Sequence, residues 1–331
     1  MKKIFLPLIA ALAFTACTGD ENPVLNEAEG QSLEICISQP MTRAGADSYA
    51  VATEAERTVK TLDAYLFDNS GQLEKVYKNL VTEDWVPQSP TESKNVTLDG
   101  LKDKSARTVF LVANGAEVTS LVESAAPGAV TKSEFESLLT DAMSAPLACP
   151  LLMTAEAEIP AWTDQTPAVQ AALQRVVARL DLKIYDPAEI TAFSLTKAEL
   201  LEASTLSYIF PNTGFASCDK ITLTASSPVA EEVERTDETF GKTYTDQLYK
   251  ALFYLYSAPA SQMTLRLYGE QKLHGVGPAE AIYDIPLSKI LPEGKTDIER
   301  NTCYTLVVKD IKIGEGGSFE LDVDFDVEES Q

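Results

Sequence analysis

The sequence predicts an all-β protein made of two β-sandwich domains, with one short helix in the first. Three observations carry this expectation. The chain has 331 residues, about two domains at ~150 residues each. Its 45% apolar content supplies a core for each half. Short apolar segments, several with a period of two, recur between turn residues, the pattern of sandwiches.

The N-terminus reads as an address. Met1-Lys2-Lys3 is basic, and Ile4 to Ala16 is apolar but too short to span a membrane, as expected of an export signal. The run closes Phe14-Thr15-Ala16-Cys17, which resembles a bacterial lipobox. Cleavage before Cys17 would leave its thiol to carry a diacylglycerol; the other reading is an ordinary signal with an incidental cysteine. Thr18 to Pro23 is a polar, breaker-rich tether.

The first half follows. In Ser32 to Gln39, Leu33, Ile35 and Ile37 alternate with Glu34, Cys36 and Ser38, a half-buried strand. Pro40 to Ser48 is small, polar and expected to be exposed. Strands are expected at Thr58 to Phe67 and Leu73 to Leu80, around the turn Asp68-Asn69-Ser70-Gly71, and at Arg107 to Ala113 before Asn114-Gly115. Thr131 and Glu134 have capping-box spacing, and Phe135, Leu138, Leu139 and Met143 then share a helical face. Pro167 to Tyr185 is ambiguous: a helical stripe runs from Val169 to Leu180, but from Val176 onward strict alternation favours a strand. The domain boundary is placed near Gln165.

The second half repeats the strand-and-turn pattern at Phe193–Leu195, Leu206–Phe210, Ile221–Ala225, Leu252–Tyr256, Met263–Tyr268, Ala281–Leu287, Tyr304–Ile313 and Phe319–Val327.

Composition excludes several functions. The chain carries 27 Lys+Arg against 50 Asp+Glu, a net charge of −23, which makes it a poor partner for nucleic acid. A single histidine excludes multi-histidine metal sites. That residue, His274, sits in a turn with no nucleophile elbow, so no catalytic residue is nominated and an enzyme is not expected. Asp322, Asp324 and Asp326 lack the glycine and distal glutamate of a calcium loop, and they read as the solvent face of a strand. Glu231, Glu232 and Glu234 read as a charged loop. Cys36, Cys149, Cys218 and Cys303 show no CxxC spacing, so buried thiols, with one bridge at most, are expected. No cofactor and no metal are expected.

The two ends carry the functional signal. Phe319, Leu321, Val323, Phe325 and Val327 alternate with acids behind the joint Gly314-Glu315-Gly316-Gly317. At ~3.3 Å per residue this strand reaches about 30 Å. It needs a hydrophobic groove, either in its own domain or in another subunit; we favour strand addition to a second subunit. At the other end, Arg43-Ala44 follows the Leu33/Ile35/Ile37 strand in a segment suited to proteolysis, so cleavage there would release the strand together with Cys17.

These features together resemble the fimbrillins, subunits of the type V pili of Bacteroidia. The lipobox at Cys17 and Thr42-Arg43-Ala44 carry the resemblance, with Val59-Lys60-Thr61-Leu62-Asp63-Ala64-Tyr65-Leu66-Phe67-Asp68, Arg175-Val176-Val177-Ala178-Arg179-Leu180, and Glu299-Arg300-Asn301-Thr302-Cys303-Tyr304-Thr305-Leu306. The resemblance implies two transthyretin-like β-sandwich domains and a structural role in a cell-surface fimbrium that supports adhesion. It implies a lipoprotein signal peptide at 1–16, a lipidated propeptide with the removable strand at 17–43, an N-terminal domain at 44–165 and a C-terminal domain at 166–331. The implied partners are the outer membrane, through lipid on Cys17; an arginine-specific protease cutting between Arg43 and Ala44; and other pilin subunits, as a homopolymer or with accessory subunits. Phe319–Val327 would be the donor strand in donor-strand exchange. An alternative is a lipid-anchored surface glycan-binding sandwich protein, which would keep its propeptide and need an exposed aromatic platform; Trp85 and Trp162 are the tryptophans available to it.

Overall fold

In a computed structural model of the chain, residues 31–39, 52–89, 92–115, 127–186, 191–237, 241–273, 276–291, 294–313 and 319–329 are described. The first half contains β1 (Gln31–Ser38), helix α1 (Glu54–Arg57), β2 (Leu62–Asp68), β3 (Leu73–Tyr77), β4 (Ser93–Leu101), β5 (Arg107–Ala113), helix α2 (Lys132–Glu136), β6 (Met153–Ile159), β7 (Val169–Ala172) and β8 (Gln174–Arg175). These form a sheet in the order β4-β1-β7 and a second in the order β3-β2-β5-β6-β8.

Strand β5 of the second sheet is buried on both faces, which is why it reads as an unbroken apolar run. Val109, Leu111 and Ala113 join Leu62, Ala64 and Leu66 in the core shared with β1. The alternate residues Tyr65, Phe67, Phe110 and Val112 form another cluster with Phe135 of α2.

The helix is shorter than its apolar spacing predicts. Its capping box forms as expected, but it stops at Glu136. Leu138 and Thr140 instead hydrogen-bond to Ile209 and Ser207, with Leu139 bridging Tyr208, so pairing with a distant segment overrides the helical period. Leu206–Phe210, expected as a strand, supplies this pairing from a loop.

The helical stripe at Val169–Leu180 is also absent. The segment is extended: β7 pairs with β1 and β8 with β6. Sheet pairing therefore carries the first sandwich past the expected boundary near Gln165, to Arg175.

The second half contains β9 (Val177–Ile184), β10 (Thr191–Ser204), β11 (Lys220–Ser226), β12 (Glu231–Asp237), β13 (Lys242–Tyr256), β14 (Ala258–Pro259), β15 (Thr264–Leu273), β16 (Val276–Pro286), β17 (Asp297–Ile298), β18 (Thr302–Ile313) and β19 (Phe319–Glu329). Two sheets, β11-β10-β15-β16 and β12-β13-β9-β18-β19, enclose its core, and β14 pairs with β17. Glu231, Glu232 and Glu234 lie on edge strand β12 rather than in a loop. Lys250 pairs with Glu231, and such charges on an edge discourage pairing with foreign strands.

The two halves interlock. Ile209 and Phe210, from the loop between β10 and β11, join the aromatic cluster of the first sandwich, with Phe210 4.8 Å from Phe110 and 5.0 Å from Phe135 between ring centroids.

Candidate assembly site

β1 is an interior strand. It pairs antiparallel with β4 from Gln31↔Leu101 to Ser38↔Ser93, and parallel with β7 from Ile35↔Val169 to Ser38↔Ala172. Leu33, Ile35 and Ile37 are at most 1% exposed and sit among Val96, Leu98, Val169 and Ala171. At ~1.5–3 kcal/mol per buried aliphatic side chain, they contribute about 5–9 kcal/mol as an upper bound. Withdrawing β1 would leave two open ladder edges and an apolar groove between them.

Among the described residues β19 has a single neighbouring strand. It pairs antiparallel with β18 from Thr302↔Glu329 to Ile313↔Phe319, at the edge of its sheet. The tail favoured for a second subunit thus lies on its own domain in the uncut chain. Register places Val327, Phe325 and Val323 opposite the core residues Tyr304, Leu306 and Val308, with Leu321 opposite Ile311 after a shift. Asp326 and Asp324 stand opposite Thr305 and Val307, while Asp322 stands opposite Asp310.

Beneath the end of β1 lies a buried polar junction. Thr53 caps α1: its hydroxyl accepts from the Glu56 amide at 3.3 Å, and the Glu56 carboxylate accepts from the Thr53 amide at 2.6 Å. Glu56 Oε2 also accepts from Arg179 Nη1 at 2.9 Å, and Arg179 Nη2 donates to Asp181 Oδ2 at 2.8 Å. Burial opposes ionisation of Glu56, but Arg179 and the Thr53 amide outweigh it and hold the carboxyl below its usual range. Burial pushes Asp181 the other way, upward, against the pull of Arg179.

Alternation along β9 suggests a polar solvent face, yet Arg179, Asp181 and Lys183 are all buried. They are tolerated there because each meets an opposite charge or a backbone donor: Asp181 Oδ1 accepts from the Ala251 amide at 2.7 Å, and Lys183 lies 3.6 Å from Asp246.

Glu56 and Gln39 escaped sequence reasoning. The Thr53-Glu54-Ala55-Glu56 spacing is itself a capping-box signal that could have found α1. The role of Gln39, at the last position of an alternating strand, had no local signal.

Cys17, Arg43, Ala44 and His274 lie outside the described residues. Trp85 is buried in the first core, and Trp162 packs against it, so the two do not form an exposed platform. Cys36, Cys149, Cys218 and Cys303 are free thiols; Cys303 is buried and the others are partly buried. Among the described residues no group of three or more His, Cys, Asp or Glu side chains is placed to hold a metal ion.

The Arg300-Asn301 pair belongs to the junction. Asn301 is in the left-handed region at φ 59°, and its Oδ1 accepts from the Arg175 amide at 3.1 Å. Tyr304 closes the turn, its hydroxyl accepting from the Glu299 amide at 2.9 Å.

Residues 32–160 match the family model described as "Major fimbrial subunit protein (FimA)". No curated protein matches the sequence. Among solved structures, the tip fimbrial protein Mfa3 from Porphyromonas gingivalis, with a C-terminal truncation, is similar at TM-score 0.56 and 17% identity, covering 90% of this chain and 100% of that one. A putative cell adhesion protein from Parabacteroides distasonis gives TM-score 0.54 at 16% identity, covering 90% and 97%. One from Bacteroides eggerthii gives 0.53 at 13%, covering 92% and 98%. At these identities the likeness is one of fold.

Proposed function

We propose that this chain, whose residues 32–160 match the major fimbrial subunit model, is a fimbrillin and that it polymerises by protease-triggered donor-strand exchange. In this reading it is a structural subunit of a cell-surface fimbrium, which the match over residues 32–160 supports. The finer reading is a maturation sequence. The precursor is held at the outer membrane by lipid on Cys17. An arginine-specific protease then cuts between Arg43 and Ala44, which removes Leu33, Ile35 and Ile37 with the propeptide. Phe319, Leu321, Val323, Phe325 and Val327 of a neighbouring subunit fill the groove.

One observation carries this reading: the strand to be lost has two hydrogen-bonded neighbours, whereas the strand to be donated has one. A tail that leaves the edge of its own sheet gives up one ladder, and in the vacated groove it gains two, alongside β4 and β7. Apolar alternation matches on both strands, so the donor can bury one face while its main chain pairs on either side.

Mass spectrometry of fimbriae sheared from cells tests the reading. The expected N-terminus is Ala44; subunits that keep residues 17–43 with an acylated Cys17 would overturn it and favour the glycan-binding alternative.

A further inference from the structure

We propose that the loss of β1 is relayed to the junction between the two sandwiches through Gln39, α1 and β7, so that a cleaved subunit has a loosened second domain until a new strand fills the groove. The proposal rests on the processing described above and assigns it a conformational consequence.

Two physical paths leave the end of β1. Gln39, which is 1% exposed, donates from Nε2 to Arg57 O at 3.1 Å and to Met153 Sδ at 3.1 Å. Arg57 closes α1, and the preceding residue, Glu56, grips β9 of the second domain through its carboxylate and β8, the last strand of the first, through its backbone. Its carboxylate holds Arg179, and its carbonyl accepts from Arg175 Nε at 3.2 Å.

The second path is covalent. β7 pairs with β1, and the Leu173 amide donates to Ser38 O at 2.9 Å. Leu173 is two residues from Arg175, whose amide and guanidinium both reach Asn301 Oδ1. A cut after Arg43 would remove Gln39, Ser38 and the β7 ladder together. Helix α1 would lose an anchor on one side, and β7 would lose β1, its one partner strand among the described residues.

A buried ion pair is sensitive to such loosening. Glu56 and Arg179 have side chains 2% and 6% exposed, and their attraction offsets desolvation only in close geometry. Cys303 reports the state of this junction: it is 2% exposed, its Sγ lies 3.6 Å from Asp181 Oδ2, and burial pushes its thiol up to about 12. It reacts only when the junction opens.

The test is native-state alkylation of the full-length chain, with each thiol located by mass spectrometry and Cys218, in the loop before β11, as the reference. Ile35→Asp dislodges β1, and Gln39→Ala cuts one path while leaving the apolar face of β1 intact. We expect Ile35→Asp to speed Cys303 labelling at least about tenfold, Gln39→Ala to speed it less, and Cys218 to stay unchanged. The proposal is overturned if β4 and β7 amides lose hydrogen-exchange protection in Ile35→Asp while Cys303 labelling keeps its wild-type rate. It is equally overturned if Cys303 and Cys218 accelerate together in both variants, since the domain then opens as a whole. The measurement needs neither protease nor polymer, so its failure is distinct from a failure of donor-strand exchange.

Discussion

Arg300 Nη2 donates to Thr154 Oγ1 at 2.9 Å, fastening the turn before β18 of the second sandwich to β6 of the first. The same guanidinium reaches Ile209 O at 3.0 Å through Nη1 and Arg175 O at 3.3 Å through Nε. Thr154 Oγ1 itself donates to Ile209 O at 3.2 Å. One planar fork thus joins three segments, a geometry that suits arginine and not lysine. A junction fastened in this way keeps the two sandwiches from swinging independently.

Arg300→Ala should lower the unfolding free energy by about 2–4 kcal/mol, because it removes three hydrogen bonds and strands carbonyls that have little water access. Urea denaturation measures this. Arg300→Lys should recover less than half of the loss, since a single ammonium cannot serve three divergent acceptors. Full recovery by lysine would show that charge alone matters.

Phe210→Ala should cost about 3–5 kcal/mol by opening a cavity against Phe110 and Phe135. Because Phe210 belongs to one half and its cluster to the other, calorimetry should also show a thermal transition that is broader than the wild type's or split. A loss below about 1 kcal/mol would mean that the loop collapses onto the cluster.

Glu56 sets a pH dependence. Its folded pKa lies below the ordinary value of 4.5, so the ionised form favours the folded state. This contribution is full above the unfolded pKa and disappears as pH falls through the folded one. The melting temperature of the wild type should exceed that of Glu56→Gln at pH 7, and the gap should narrow steadily below about pH 4.5. A gap that is constant from pH 7 to pH 3 would rule out an ionised Glu56 in the junction.

Val323→Asp should abolish polymer ladders on denaturing gels of unheated fimbriae while the monomer keeps its near-ultraviolet circular dichroism. Register sets position 323 opposite Val308 at a sheet edge, where a charge disturbs one ladder and leaves the remaining strands paired. Ladders of wild-type length would remove Phe319–Val327 from the donor role.

The strands legible in the sequence are those whose environment is local. Leu33, Ile35 and Ile37 alternate because one face of β1 meets a core, and Arg107–Ala113 lacks alternation because both faces of β5 do. Among the strands that escaped, Ser93–Leu101 and Met153–Ile159 carry Lys94, Asn95, Glu156 and Glu158 among their apolar residues, so neither reads as an unbroken apolar run. The capping box at Thr131 announced where α2 starts, but its end depended on Ser207 and Ile209, some 70 residues away.

The amino-acid sequence by itself determined an all-β chain, its alternating strands at both ends and the capped start of α2, because side-chain period and capping chemistry act over a few residues. Only the tertiary structure decided that β1 lies between two neighbours while β19 has one, that the first sandwich runs on to Arg175, and that Arg179, Asp181 and Lys183 are interior. Those outcomes depend on which distant strand supplies the next hydrogen-bond ladder or the opposite charge, and no short window of sequence contains that partner.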